Sequence, residues 1–282
     1  MKRFFALLSG LTLLTTASFA QYNEGSNTSK GKVYHTSWLD GGIFAAGAGL
    51  SYWGLTKLNN KDGVDPDVLE RFQNDEEFLK QEIDKINGLD RWAAGNWNEG
   101  WIAFSDIPFY GSFGLPLLYL TNERTRSDFG QIGLLYLETM AVAGAIFTQT
   151  AGNVDKKRPL VYNVDPENTD DSQRNAENSF FAGHPAATAA AAFFTAKVFN
   201  DYFPSSRAKT WVWVGAGVIS GSVAAGRLIG GKHFPTDNLI GLAVGTTTGI
   251  LVPHLHKVGN DRLSMTPFGF GRFAGLNMRY QF

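Results

Sequence analysis

The chain has 282 residues, 44% of them hydrophobic, with a formal net charge of −1, enough for one large or two small domains. A nearly neutral chain offers no electrostatic footprint for nucleic acid. With no cysteine, disulfides and thiolate metal or redox sites are excluded, while 32 glycines and 22 phenylalanines suit close-packed helices with aromatic filling.

The N-terminus reads as a targeting segment. Lys2-Arg3 precedes an apolar run from Phe4 to Leu14, and Ser18-Phe19-Ala20 has the form of a cleavage site. Residues 1–20 are therefore expected to be a secretory signal peptide cut before Gln21, the run being too short to span, and the mature chain starts on the exported side. Residues 21–37 are polar and expected to be loose. Leu39 to Leu58 is apolar and rich in small residues, a packed helix. Asp65-Pro66 then opens a charged helix, Asp as N-cap and Pro at the first helical position. Val68, Leu69, Phe72, Leu79, Ile83 and Ile86 recur at helical spacing up to a stop at Gly88, which predicts one surface helix docked by one face.

Ile102–Leu120 is apolar but broken by Pro108 and Pro116. Gln131–Thr150 is a longer helix with Glu138 in its middle, followed by Arg158-Pro159 and a polar loop, Asn163–Asn178. Ser179–Asn200 begins with Gly183-His184 and continues Ala-rich; Trp211–Ile229 and Thr236–His254 complete a set of about six apolar helices. The runs are about 20 residues or shorter and contain Asp106, Glu138 and Lys197, and the mean hydropathy is −0.14. An exported N-terminus followed by three full spans would also place Arg158 in the cytoplasm. These points lean towards a non-spanning bundle, although Gly- and Ala-rich faces suit close packing in lipid equally. In the tail, Leu276, Met278, Tyr280 and Phe282 alternate like the last strand of an outer-membrane barrel, without the many strands that a barrel needs.

The candidate chemistry lies in three short segments at the edges of apolar stretches: Arg158-Pro159, Gly183-His184, and Arg227-x5-His233-x3-Asp237. Two Arg forks can bind a tetrahedral oxyanion bidentately. One His can be a nucleophile, the other can protonate a leaving oxygen, and an Asp can fix a tautomer. If the last helix starts at Pro235, Asp237 can reach back to one ring nitrogen of His233 and leave the other as a free lone pair. Gly183-His184 at a helix N-terminus points backbone N–H groups at an anion. His254-x-His256 offers two metal ligands with no nearby acid in sequence, so C-terminal capping is the expected role. Neither a nucleotide-binding phosphate loop nor a Gly-x-Ser-x-Gly elbow occurs.

These three blocks resemble those of the type 2 phosphatidic acid phosphatase family, which shares its site with the vanadium haloperoxidases. The family pattern is Lys-x6-Arg-Pro, Pro-Ser-Gly-His and Ser-Arg-x5-His-x3-Asp, and the resemblance covers roughly residues 100–256. Each block departs somewhere: the family Lys is Ala151, the Ser before Gly183 is Ala182, and Gly226 stands for the Ser before Arg227. The resemblance implies an all-α bundle of about six core helices, to which the chain adds an amphipathic helix and a short strand-like tail. It implies His233 as the nucleophile of a phosphohistidine, Asp237 as its orienter and His184 as general acid. Arg158, Arg227, Gly183 and the backbone N–H of Ala182 would hold the phosphate, with Lys156 or Lys157 as candidates for the missing charge. The division expected is 1–20 signal peptide, 21–100 first core helix and charged helix, 101–256 catalytic core, and 257–282 tail. The implied activity is metal-independent hydrolysis of phosphomonoesters or terminal pyrophosphates of envelope lipids: phosphatidic acid, isoprenoid diphosphates or lipid A phosphates. No cofactor is implied, vanadate acting as an inhibitor or phosphate mimic. The partners implied are a phosphorylated lipid or small phosphate ester and a membrane, in the periplasm or on the periplasmic face of a bacterial envelope. The alternatives are a broad-specificity soluble periplasmic acid phosphatase and a degenerate, non-catalytic structural protein.

Overall fold

The computed structural model describes residues 32–165, 167–168 and 175–258, with the backbone of two further strands; the expected signal peptide lies outside the described residues. Nine α-helices are found among the described residues. Helix α1 (Trp38–Asn59) opens on a capping box in which Ser37 accepts from Leu39 N–H and Asp40 accepts from Ser37 N–H. The single charged helix expected after Asp65 is instead two, α2 (Pro66–Asn74) and α3 (Glu76–Asp84). Asp75 breaks it: its carboxylate accepts from Phe78 N–H at 2.9 Å, a local bond that competes with helical continuation.

The bundle is completed by α4 (Glu99–Ser112), a short α5 (Glu123–Arg126), α6 (Phe129–Ala151), α7 (Gly183–Tyr202), α8 (Ala208–Ile229) and α9 (Pro235–Leu255). Helix α7 is the axle: it packs on α9, α8, α6 and α4, while α1 lies along α6. Ala-rich α7 and Gly-rich α9 touch backbone to backbone. A Cβ added at Gly241, Gly245 or Gly249 would run into the carbonyl oxygen of Ala182, Ala186 or Ala190, so only glycine permits this approach. Helices α2 and α3 dock as expected, by Val68, Leu69, Phe72, Phe78 and Leu79, onto Leu160, Val161 and Tyr162, and so brace the Arg158-Pro159 block.

The outer and inner faces are reversed relative to a water-soluble bundle. In α8 the buried residues include Ala216, Ser220, Ala224 and Gly226, and Trp211, Val214 and Val218 face outward. In α4 Ser105 and Ser112 are inside and Trp101, Phe104, Ile107 and Tyr110 are outside. In α1 Gly47 and Gly54 are inside and Leu39, Ile43, Leu50 and Trp53 outside. Small residues within and large apolar ones without are what lipid-facing helices need. Three helices, α6, α8 and α9, are also long and apolar enough to cross a membrane. These faces and lengths weigh against the lean towards a non-spanning bundle, which rested on run length, internal charges, mean hydropathy and topology; the averaged hydropathy in particular hid which face carried the apolar side chains.

Residues 32–37, expected to be loose, are tied down. His35 N–H donates to His256 O at 2.8 Å and Val258 N–H to Val33 O at 3.0 Å. In the tail, two strands, β1 (Leu263–Phe270) and β2 (Phe273–Tyr280), pair antiparallel from Leu263 opposite Tyr280 to Phe270 opposite Phe273.

Candidate active site

The site forms where the C-terminus of α8 meets the N-termini of α7 and α9. Helix α8 ends in a Schellman motif: Lys232 N–H bonds Arg227 O at 2.9 Å and Gly231 N–H bonds Leu228 O at 3.1 Å. Gly231 has φ of 70°, the left-handed turn that this motif needs. The chain therefore doubles back at once, bringing His233 to the last turn of α8, its N–H on Arg227 O at 3.3 Å. Pro235 then starts α9. This is why an Arg-x5-His spacing puts both side chains into one site.

Arg227 is 5% exposed. Its Nη2 pairs with Asp106 of α4, while its Nε is buried with no hydrogen-bond partner. A buried guanidinium that holds one carboxylate and keeps an unmatched donor suits an additional anion. Asp106 also lies 3.8 Å from His184 Nε2. Phe109, one turn on, stacks on the His184 ring at a 4.0 Å centroid separation. The His184 side chain remains 36% exposed at the first turn of α7, where helix N–H groups lack intrahelical partners. Gly183 is needed for packing: a Cβ there would lie 2.5 Å from the Phe147 ring.

His233 is 3% exposed, and its Nδ1 donates to Ser179 O at 2.7 Å, which fixes the tautomer and leaves Nε2 as the lone pair. Asp237 does not touch the ring. Its Oδ2 accepts from Ser179 Oγ at 2.6 Å and from Phe234 N–H at 3.1 Å, and its Oδ1 accepts from Lys156 Nζ at 2.7 Å. The direct Asp237–His233 bond expected from spacing is thus replaced by a relay, Asp237 holding Ser179 and the Ser179 carbonyl holding His233.

Two expected phosphate contacts are engaged elsewhere. The Ala182 N–H donates to Asp237 O at 3.1 Å. Lys156 Nζ sits between Asp237 and Asp90, 3.0 Å from Asp90 Oδ2. Burial would raise the Asp90 carboxyl, but bonds from Thr236, Asn87 and Lys156 hold it below its usual range. Burial raises the Glu177 carboxyl, against the charge of nearby Lys157. The cation that the sequence reading passed over is Lys232, 8% exposed and next to His233. Burial, then Arg158, Arg227 and Lys232, press the His233 imidazole well below its ordinary range, against the bond to Ser179. Burial, then Arg227, His233, Arg158 and Lys232, do the same to His184. Both imidazoles are neutral at pH 7. Position 151, where the family lysine would stand, is a fully buried alanine. Arg158, Gly183, His184, Arg227 and His233 do come together; Asp106, Ser179, Asp90 and Lys232 were not picked out beforehand. Asp106 had a visible signal, as an acid in an apolar run; Ser179 had none.

Residues 132–260 match the PAP2 superfamily. The matched stretch runs from the first turn of α6 to just past the end of α9 and so contains all three blocks. Among solved structures, the chain is similar to the transmembrane PAP2 type phosphatidylglycerolphosphate phosphatase from Bacillus subtilis, at 18% identity and a TM-score of 0.37. That alignment covers 86% of this chain and 92% of the other. No match is found among curated proteins.

Proposed function

We propose that the protein is a membrane-embedded PAP2-type phosphatase that hydrolyses lipid phosphomonoesters or terminal pyrophosphates through a phosphohistidine. The observation that carries this reading is His233 itself: buried, neutral, with Nδ1 bound to the Ser179 carbonyl and Nε2 therefore nucleophilic, beside Arg227 with its unmatched Nε. Arg158, Arg227 and Lys232 hold the phosphoryl oxygens, with Lys232 taking the place of the charge lost at Ala151. Such fixed cations stabilise charge as it develops in the transition state. His233 Nε2 attacks phosphorus, the P–O bond to the leaving group breaks, and the leaving oxygen takes its proton from His184. Water then attacks phosphorus, its proton returns to His184, the N–P bond breaks and inorganic phosphate leaves. The arriving phosphate dianion cancels nearby positive charge, so His184 gains a proton as substrate binds. Vanadate, which copies the five-coordinate phosphorus, is expected to inhibit.

Apolar outer faces around the site favour a substrate presented from a bilayer over a soluble ester. The test is phosphate release by detergent-purified protein in chelator, against His233→Ala. Phosphatidic acid, an isoprenoid diphosphate and a soluble phosphomonoester form the panel. Chelator-resistant release from the lipids, lost in the variant, is expected. Release from the soluble ester alone would replace the lipid reading with that of a broad-specificity acid phosphatase, and none from a folded protein would leave a non-catalytic member of the superfamily.

A further inference from the structure

At the other end of α9, about 30 Å from His233 by the length of a 21-residue helix, lies a second cluster of polar side chains. Asp40 of α1, Glu138 of α6 and His256, the C-cap of α9, each offer one ligand atom, and these atoms lie within 4.8 Å of one another. His256 Nε2 is 3.0 Å from Asp40 Oδ1 and 3.8 Å from Glu138 Oε2. We infer that Asp40, Glu138 and His256 form a structural site for one divalent transition ion of the zinc or manganese class, clamping three helices at the end opposite the phosphate site.

Four observations carry this. Bonds of about 2.0–2.2 Å to a tetrahedral ion separate neighbouring ligand atoms by about 3.3–3.6 Å, close to the spacings found. Glu138 is 4% exposed, and its Oε2 is buried with no hydrogen-bond partner, aimed into the cluster. A carboxylate at the middle of an apolar helix is costly unless something pairs with it. The supporting hydrogen bonds are those of a ligating set: His256 Nδ1 donates to Val252 O at 2.7 Å, which presents Nε2, and Asp40 uses Oδ2 for Ser37 N–H, which presents Oδ1. Finally, the charges of the three groups are compatible with a divalent ion. The lysines at this end, Lys197 and Lys257, both pair with Asp201. With both carboxylates ionised, a divalent ion and a neutral imidazole bring the sum to zero. Imidazole with two carboxylates suits zinc or manganese better than calcium or magnesium.

The experiment uses the full chain in detergent, stripped with chelator, reloaded with zinc or manganese alone and desalted. Metal content and thermal midpoint are then read. One retained ion per chain and a midpoint several degrees above that of the stripped protein are expected. Both should vanish in Glu138→Gln, which keeps the side-chain shape, and in His256→Ala. Phosphate release at 25 °C should be the same for stripped and loaded protein, because the cluster is remote from the chemistry. If neither metal is retained, or Glu138→Gln retains it as well as the parent chain, the assignment is overturned, whatever the phosphatase assay gives.

Discussion

At the N-terminal end of α9, three cations, Arg158, Arg227 and Lys232, act on two histidines and one half-exposed carboxylate, Asp106. At its C-terminal end, two buried carboxylates, Asp40 and Glu138, meet one histidine, His256. The first end carries surplus positive charge and keeps His184 at a partly open mouth, so it invites an anion that comes and goes. The second gathers two carboxylates and one histidine beneath a cover of backbone bonds between residues 33–35 and 256–258, so it suits a cation that stays. On the two proposals above, one helix separates a site for turnover from a site for cohesion.

The sharpest way to break this comparison is to remove the nucleophile. His233→Ala is expected to lower kcat on the order of 10³-fold or more with no change in thermal midpoint. Single-turnover phosphate release measures it; a loss below tenfold would take the phosphohistidine away. Next comes Lys232→Ala. If Lys232 supplies the charge missing at Ala151, its loss should cost roughly 10²–10³ in kcat and weaken vanadate inhibition in step. Lys156→Ala, which removes a partner of Asp237 and not a phosphate contact, should leave vanadate affinity within a few-fold of the parent. The opposite ranking would return the phosphate contact to Lys156.

The three blocks were legible because each is short and its residues act close to where they stand in sequence. The Arg227, Gly231 and Pro235 spacing encodes a helix, its stop and the next start, and no distant contact is needed to read it. What spacing cannot say is which polar atom wins a contest in three dimensions. Asp237 was expected on His233, but Ser179, 58 residues away, brings both a hydroxyl and a carbonyl to the gap and takes both partners. Lys156 was expected on phosphate, but Asp90 and Asp237 are fully buried and hold it. At the far end, His256 had no acid near it in sequence; its carboxylates are supplied by α1 and α6, 216 and 118 residues earlier. The apolar exterior was likewise invisible to mean hydropathy, which sums over a helix and discards direction.

The Ser179 relay can be broken at either link. Asp237→Asn and Ser179→Ala should each lower kcat about 10–100-fold, as lost orienting partners do, and the double variant should be no worse than the poorer single. That non-additivity is the signature of one chain of contacts. Were Asp237 to act on the imidazole directly, Ser179→Ala would be nearly silent and the double variant would simply add.

The last effect expected is on the pH profile, and its sign follows from the mouth of the site. In the free protein, burial and the neighbouring cations hold His184 well below its ordinary value, so it is neutral at pH 7. As general acid it must carry a proton, and kcat/KM reports the free protein. Above the second phosphate pKa, about 6, substrate charge no longer changes. There, kcat/KM should fall by about tenfold for each pH unit, because each unit removes that share of protonated His184. His233 must be neutral, and its own depressed value keeps it so well into acid, so no loss from that residue is expected until low pH. In the complex the bound anion offsets Arg158, Arg227 and Lys232 and lifts His184, so kcat should be flatter than kcat/KM over the same range. A kcat/KM that climbs from pH 7 to pH 9 would remove His184 from the acid's role. A kcat as steep as kcat/KM would instead mean that the bound phosphate leaves the field of the three cations unchanged.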